Sequence, residues 1–175
     1  FDRAVSPARR LEALIQLSEQ REREGRDQEV TPLLERALLS PELRGETRDQ
    51  VVSRLRRRLS LEGKNSDIEA LLRTELRRPD QTPAAKQRMA HDLASMLSMQ
   101  GDHRAAFDIF ASVLAVSPIE PSLLEELRHL GRRLPDRERH VNALADLAGR
   151  VMDLQGRVSV LTELSDLLDE LGRGD

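Results

Sequence analysis

The chain has no cysteine, no tryptophan and no tyrosine, and its only aromatic side chains are three phenylalanines, Phe1, Phe107 and Phe110. Without cysteine there is no disulfide, no thiolate nucleophile and no cysteine-ligated zinc site. That leaves the compartment open, with the cytoplasm favoured over the periplasm. Without aromatics there is little to fill the pleated faces of strands, and no tyrosine or tryptophan to stack on unpaired bases. No apolar run approaches the roughly 20 residues that a membrane-spanning helix needs, so no membrane insertion is expected. An excess of one charge is missing as well. The 28 basic and 31 acidic residues leave a net charge of -3, which exerts no global pull on nucleic acid or an anionic membrane. Lysine is nearly absent: Lys64 and Lys86 stand alone among arginines, which together with abundant Leu and Ala suggests the codon bias of a GC-rich, bacterial genome. Position 1 is Phe rather than Met and no signal-peptide pattern follows, so a processed product or a fragment of a longer protein is expected.

What remains is the composition of an all-α protein. The chain has 175 residues, 38% hydrophobic and 34% charged, dominated by strong helix formers. Caps and breakers divide it into nine helices. Ser6-Pro7 opens the first, which runs to Gly25. The second contains Pro32, and an early start at Asp27 with distortion is favoured over a late start capped by Thr31. Thr47 with Gln50, and Ser66 with Glu69, read as capping boxes for the third and fourth. Thr82-Pro83 starts the fifth and Asp102 caps the sixth. The stretches "PSLLEELRHLGRRLP", "DRERHVNALADLAGRVMD" and "RVSVLTELSDLLDELG" supply the rest. Connections this short make sequential helices antiparallel neighbours.

The glycines carry a period. Gly25, Gly63 and Gly101 each end one helix, at a spacing of 38 residues. Five residues beyond them stand Val30, Ile68 and Ala106; nine beyond, Leu34, Leu72 and Phe110; thirteen beyond, Leu38, Leu76 and Leu114. A proline follows at Pro41, Pro79 and Pro118. The preceding helices align Leu14, Val52 and Ala90, then Leu17, Leu55 and Leu93, then Ser18, Arg56 and Ala94. The fourth copy is looser, with Pro135 in its turn and Gly172 at its end. Each unit is a helical hairpin that cannot bury its apolar face without neighbours.

These residues resemble the tetratricopeptide repeat (TPR) family. The third unit matches that family's spacing at Ala90, Leu93, Ala94, Leu97, Ala106, Phe110 and Pro118, with Ala90 and Leu97 replacing the usual aromatics. Units of 38 residues are longer than the family's usual 34. The expected fold is a right-handed α-solenoid of antiparallel hairpins forming one domain over 1-175, with units at about 6-41, 46-79, 82-118 and 121-153 and a terminal helix at 157-171. The resemblance implies protein or peptide binding on the exposed faces of first helices, which line a concave groove. Projected onto this sequence, the groove is Glu12, Ile15, Gln16, Glu19 and Glu22; then Gln50, Ser53, Arg54, Arg57 and Ser60; then Arg88, His91, Asp92, Ser95 and Ser98; then Ser122, Glu125, Glu126, His129 and Arg132; and finally Thr162, Glu163, Asp166 and Asp169. The partner-binding candidates among them are Arg54, Arg57, Arg88, His91, Ser95, Glu126, His129 and Arg132, which suit a protein segment carrying acidic residues. The clamp for chaperone tails needs Asn in the groove; Asn65 and Asn142 lie elsewhere, so that subtype is not expected.

Glu126 and His129 have the Glu-x-x-His spacing of di-iron bundles, but such sites need a second pair and two more inward carboxylates, and no second copy exists. His103 reads as part of the inter-helix packing, and His91-Asp92 and the "RERH" ending in His140 read as helix surface. No glycine-rich elbow or phosphate loop is present. No catalytic residue, metal or cofactor is therefore expected. "RLRRRL" places Arg54, Arg56, Arg57 and Arg58 together, which keeps a helical-repeat RNA binder as the alternative, ahead of a metalloenzyme. The last helix presents Val160, Leu161, Leu164, Leu167, Leu168 and Leu171 without a covering neighbour, a face that a homodimer could use. Phe110 is expected to be a core residue and not a binding one.

Overall fold

A computed structural model of the protein describes residues 6–114, 121–151 and 154–172. Phe1, Pro118, Met152 and Asp153, where some of the sequence expectations fall, lie outside the described residues. The described chain is helical throughout, with α1 Pro7–Arg23, α2 Asp27–Leu38, α3 Gly45–Leu61, α4 Asn65–Leu76, α5 Pro83–Met99, α6 His103–Leu114, α7 Pro121–Arg133, α8 Arg137–Arg150 and α9 Leu154–Glu170. Among the described residues there is no strand.

The period seen in the glycines is a period of whole hairpins. Helices α1, α3 and α5 are each 17 residues long and begin at Pro7, Gly45 and Pro83; α2, α4 and α6 are each 12 residues long and begin at Asp27, Asn65 and His103. Both series advance by the same 38 residues. The turn between the two helices of each hairpin is closed in one way. Gly25, Gly63 and Gly101 have φ of +69°, +70° and +84°, the left-handed region that a Cβ disfavours. The N–H of the residue after each glycine donates to a carbonyl five residues back, Arg26 to Arg21, Lys64 to Leu59 and Asp102 to Leu97, all at 2.9 Å. This is the Schellman arrangement, which satisfies the last carbonyls of one helix while turning the chain into the next.

Ser6 caps α1 by accepting from the Arg9 N–H, and Asp102 caps α6 by accepting from the Ala105 N–H at 2.9 Å. Helix α2 begins at Asp27 with Pro32 inside it, and Thr31, instead of capping, is buried and donates its hydroxyl to Glu62 at 2.7 Å. The two capping boxes do not form. Helix α3 starts at Gly45, ahead of Thr47, because Arg48 is drawn into the interior and brings the first turn with it. Helix α4 starts at Asn65 because the glycine turn already sets Lys64 as its cap, with Ile68 N–H donating to the Lys64 carbonyl at 3.1 Å. Helix α9 likewise begins at Leu154 and not at Arg157.

The helices form two compact units, Phe1–Thr82 and Pro83–Asp175. In the first, α1 lies on α2, α2 on α3 and α3 on α4. Leu11, Val30, Leu34, Val51, Val52, Leu55, Leu59, Ile68 and Leu72 make its core, joined by Leu43 from the α2–α3 connection. In the second, α5 pairs with α6, α6 with α7, α7 with α8 and α8 with α9. Ala90, Ala94 and Ala106 are buried where α5 meets α6, and side chains this small let the backbones approach. Phe107 and Phe110 fill the remaining space, exposed by only 1% and 2%. Full burial of an apolar side chain of this size contributes about 1.5–3 kcal/mol.

Candidate functional site

In each unit a candidate binding face is built by the register of its own first helices. Counting from the first residue of each, the sixth, ninth and thirteenth positions fall on one stripe of an α-helix. They are Gln50, Ser53 and Arg57 on α3, Arg88, His91 and Ser95 on α5, and Glu126, His129 and Arg133 on α7; every one of them is exposed. The seventh positions of α3 and α5, one step round the helix, are Val51 and Met89, both buried. A single step in sequence thus separates core from surface, which is why α3, α5 and α7 present the same kind of polar face.

The candidates on or beside these positions lie in separate units. Arg54 and Arg57 belong to the first; Arg88, His91, Ser95, Glu126, His129 and Arg132 belong to the second. Arg57, Arg88 and Arg132 are exposed guanidinium groups that take part in no ion pair among the described residues. Arg54 differs. It is half-buried, and its guanidinium lies 2.8 Å from Glu22 and 3.6 Å from Glu19 on α1. The acidic face of the first helix and one arginine of the basic stretch that follows therefore neutralise each other. His91 stands edge-on over Phe110, ring centroids 6.2 Å apart. Phe110 is thus the buried support under this surface and not part of it. The side chain of Ser122 lies outside the described residues.

Glu126 and His129 are both exposed on α7, an arrangement unlike the buried carboxylate-rich centre of a di-iron bundle. Among the described residues, no three His, Asp or Glu side chains are grouped to hold a metal ion. His103 shares a hydrogen bond with Ser98 at 3.2 Å across the α5–α6 turn. A cavity of about 330 Å³ in the first unit is lined by Asp27, Thr31, Glu35, Arg58, Glu62 and Lys64 among others. Most of its charges are already matched: Arg58 with Asp27 at 3.0 Å and Lys64 with Glu62 at 2.8 Å. The Lys64 ammonium, followed by the Thr31 hydroxyl, holds the Glu62 carboxyl below its ordinary range.

Four buried polar residues, His140, Glu163, Arg48 and Glu75, differ from the sequence expectation or are absent from it. His140 is not on the surface. It is fully buried, edge-on to Phe107 with centroids 5.5 Å apart, and neither ring nitrogen has a hydrogen-bond partner among the described residues. Burial pushes its imidazole pKa down, against a weaker upward pull from Glu163. Glu163 is not a groove residue either: it is 4% exposed and ion-paired with Arg128 of α7. Arg48 and Glu75 form a bidentate pair at 2.6 and 2.8 Å inside the first unit, with Arg48 also donating to the Leu38 and Leu43 carbonyls and Gln81 donating to Glu75. The one available sequence signal was position. Arg48 and Glu163 fall on helix faces turned toward the core, where a charge needs a partner. Burial of His140 had none, because the close approach of α7 that permits it comes from Gly131.

No protein-family model matches the chain. No curated protein matches it either. Among solved structures, a Podosopora anserina chain described as "kinesin light chain nearly identical TPR-like repeats" is similar, with 19% identity and a TM-score of 0.43, over 96% of this chain and 89% of that one.

Proposed function

We propose that the protein is a non-catalytic interaction module, a scaffold or adaptor, whose first-helix faces bind a protein segment carrying acidic residues. One observation carries this reading. The sixth, ninth and thirteenth positions of α3, α5 and α7 are polar and exposed, and Arg57, Arg88 and Arg132 stand on or beside those positions without ion pairs among the described residues, whereas Arg48, Arg54, Arg58, Arg128 and Arg139 are all matched within the fold. Unmatched guanidinium groups are free to pair with carboxylates, and Arg does so with directional, bidentate hydrogen bonds. Exposed pairs contribute only about 0–1 kcal/mol each, so the first-helix faces of each unit would hold such a segment weakly and reversibly.

The test uses a fluorescein-labelled 12-residue peptide of alternating glutamate and leucine. Its binding, followed by anisotropy, is expected to weaken with salt and to fall at least tenfold in an Arg57→Glu, Arg88→Glu, Arg132→Glu variant. Arg54 is left out because changing it would also break its pair with Glu22. Equal affinity for the wild type and the triple variant would refute the proposal. Salt-dependent binding of a single-stranded RNA oligonucleotide in preference to the peptide would favour the RNA reading instead.

A further inference from the structure

His140 of α8 sits at the thinnest seam of the second unit. Among the described residues, α7 and α8 share the least contact of the consecutive helix pairs within either unit, whereas α8 and α9 pair as closely as α6 and α7. Few groups therefore tie α8 and α9 to the helices before them. Arg128 of α7 pairs with Glu163 of α9, and Arg139 of α8 with Asp108 of α6. Leu127, Leu130 and Leu134 of α7 and Leu144 and Leu147 of α8 are buried. The His140 ring crosses the same seam. It is fully buried, edge-on to Phe107 of α6, and so close to the α7 backbone that a Cβ on Gly131 would fall 2.3 Å from its Nδ1.

The surroundings suit a neutral ring and no other. Neither ring nitrogen has a hydrogen-bond partner among the described residues, so nothing there accepts from an imidazolium. The charged groups that bear on the ring are Arg128 and Arg132 of α7, Arg137 of α8 and Glu163 of α9. Glu163 is taken by Arg128, and α6 turns Phe107 to the ring while its Asp108 is held by Arg139. A proton on this ring would be buried, unpartnered and among cations, so the ring can carry it only by reaching water. The α7 backbone at Gly131 closes that exit while the two helices touch. We propose that His140 is an acid-operated latch, whose protonation favours a state in which α8 and α9 have come away from α7, the imidazolium is hydrated and the apolar side of α7 at Leu127, Leu130 and Leu134 is uncovered, while α5 and α6 stay paired. The released ring takes its proton near pH 6.5 and the enclosed ring resists it. The closed state is therefore fully favoured above about pH 6.5, and the ratio of open to closed rises about tenfold per pH unit below it. His91 and His129 are exposed already, and His103 lies on the α5–α6 turn, which the opening leaves closed.

Amide hydrogen exchange of the whole protein tests the latch, read by mass spectrometry between about pH 7.5 and 5.5 and corrected for the intrinsic pH dependence of exchange. Helices of 14 and 17 residues are marginal in water once they lose their packing, so amides of α8 and α9 report the release. Protection of the α8 amides is expected to fall about tenfold per pH unit below 6.5. That exchange should depend only weakly on urea, because a partial opening exposes little surface. Amides of α5 and α6 should exchange more slowly, through global unfolding and with its full urea dependence. In His140→Leu the acid dependence of α8 should disappear, leaving α8 better protected at about pH 5.5 than in the wild type. The wild type alone can overturn the proposal, if α8 at about pH 5.5 exchanges at the rate and urea dependence of α5 and α6, or if its protection does not change with pH. Acid-dependent loss that persists in His140→Leu overturns it as well, since another group would then be the one that titrates.

Discussion

Gly131→Ala offers the sharpest check on the interior of the second unit, because helix propensity and packing predict opposite signs. Gly131 sits inside α7, where replacing glycine by alanine ordinarily gains about 1 kcal/mol. Here a Cβ would fall 2.3 Å from Nδ1, 2.4 Å from Cε1 and 2.6 Å from Cγ of His140, roughly 1 Å inside van der Waals contact with three ring atoms at once. The ring has nowhere to go: it is fully buried and meets Phe107 edge-on. Overpacking of this kind costs about 1–3 kcal/mol, and a clash with three atoms of a locked ring lies toward the upper end. A net loss of about 1–2 kcal/mol follows from those two figures. Urea unfolding followed by circular dichroism measures it, and a double-mutant cycle isolates its cause. In a His140→Ala background the obstacle is gone, so the same Gly131→Ala change should become neutral or stabilising, with a coupling of about 1–3 kcal/mol between the two sites. Equal effects of Gly131→Ala in both backgrounds, or stabilisation of the wild type, would refute the account of why this helix contains a glycine.

Three further outcomes follow from the same structure. Phe110→Ala should destabilise by about 3–5 kcal/mol in thermal or urea unfolding, as expected for an emptied aromatic site in a core, and any residual folded protein should bind the acidic peptide with little change. Arg48→Leu should cost about 3–5 kcal/mol because it strands the buried Glu75 carboxylate, whereas Arg48→Leu with Glu75→Leu should recover most of that loss; a double variant as weak as the single would show that the pair itself is needed. The depressed pKa of His140 predicts that stability holds above pH 6.5 and falls below it, since the unfolded chain takes up a proton that the folded chain refuses, with a limiting slope of about 1.4 kcal/mol per pH unit for one proton. His140→Leu should flatten that part of the profile, and an unchanged slope would mean that the imidazole is not held neutral by burial.

The repeat was legible because its parts are local. A glycine that must take positive φ, an apolar residue five beyond it and a larger apolar one four further on are all set within one hairpin, and Gly25, Gly63 and Gly101 carry them at a fixed spacing. Exposure of the stripe through Arg57, Arg88, His91, Ser95, Glu126 and His129 follows from the same periodicity. The capping boxes at Thr47 and Ser66 misled for the converse reason. Capping is worth about 1 kcal/mol, and the glycine turn before α4 and the anchoring of Arg48 into α2, α4 and the α2–α3 connection outweigh it.

By itself the sequence determined the helical class, the hairpin period, the glycine turns and the polar stripe of α3, α5 and α7, because all of these depend on contacts within one or two turns of the chain. Only the tertiary structure decided the partners of the buried charges. Arg48 and Glu75 lie on different helices, as do Arg128 and Glu163, and Arg54 finds Glu22 only when α1 and α3 lie in one unit. It also decided the fate of His140, which a glycine on the neighbouring helix allows to enter the core without a hydrogen-bond partner. The same holds for α9, whose sequence reads as one more amphipathic helix. What sets it apart is that no second helix lies on Leu161 and Leu168 among the described residues, and coverage is a property of neighbours that no local pattern encodes.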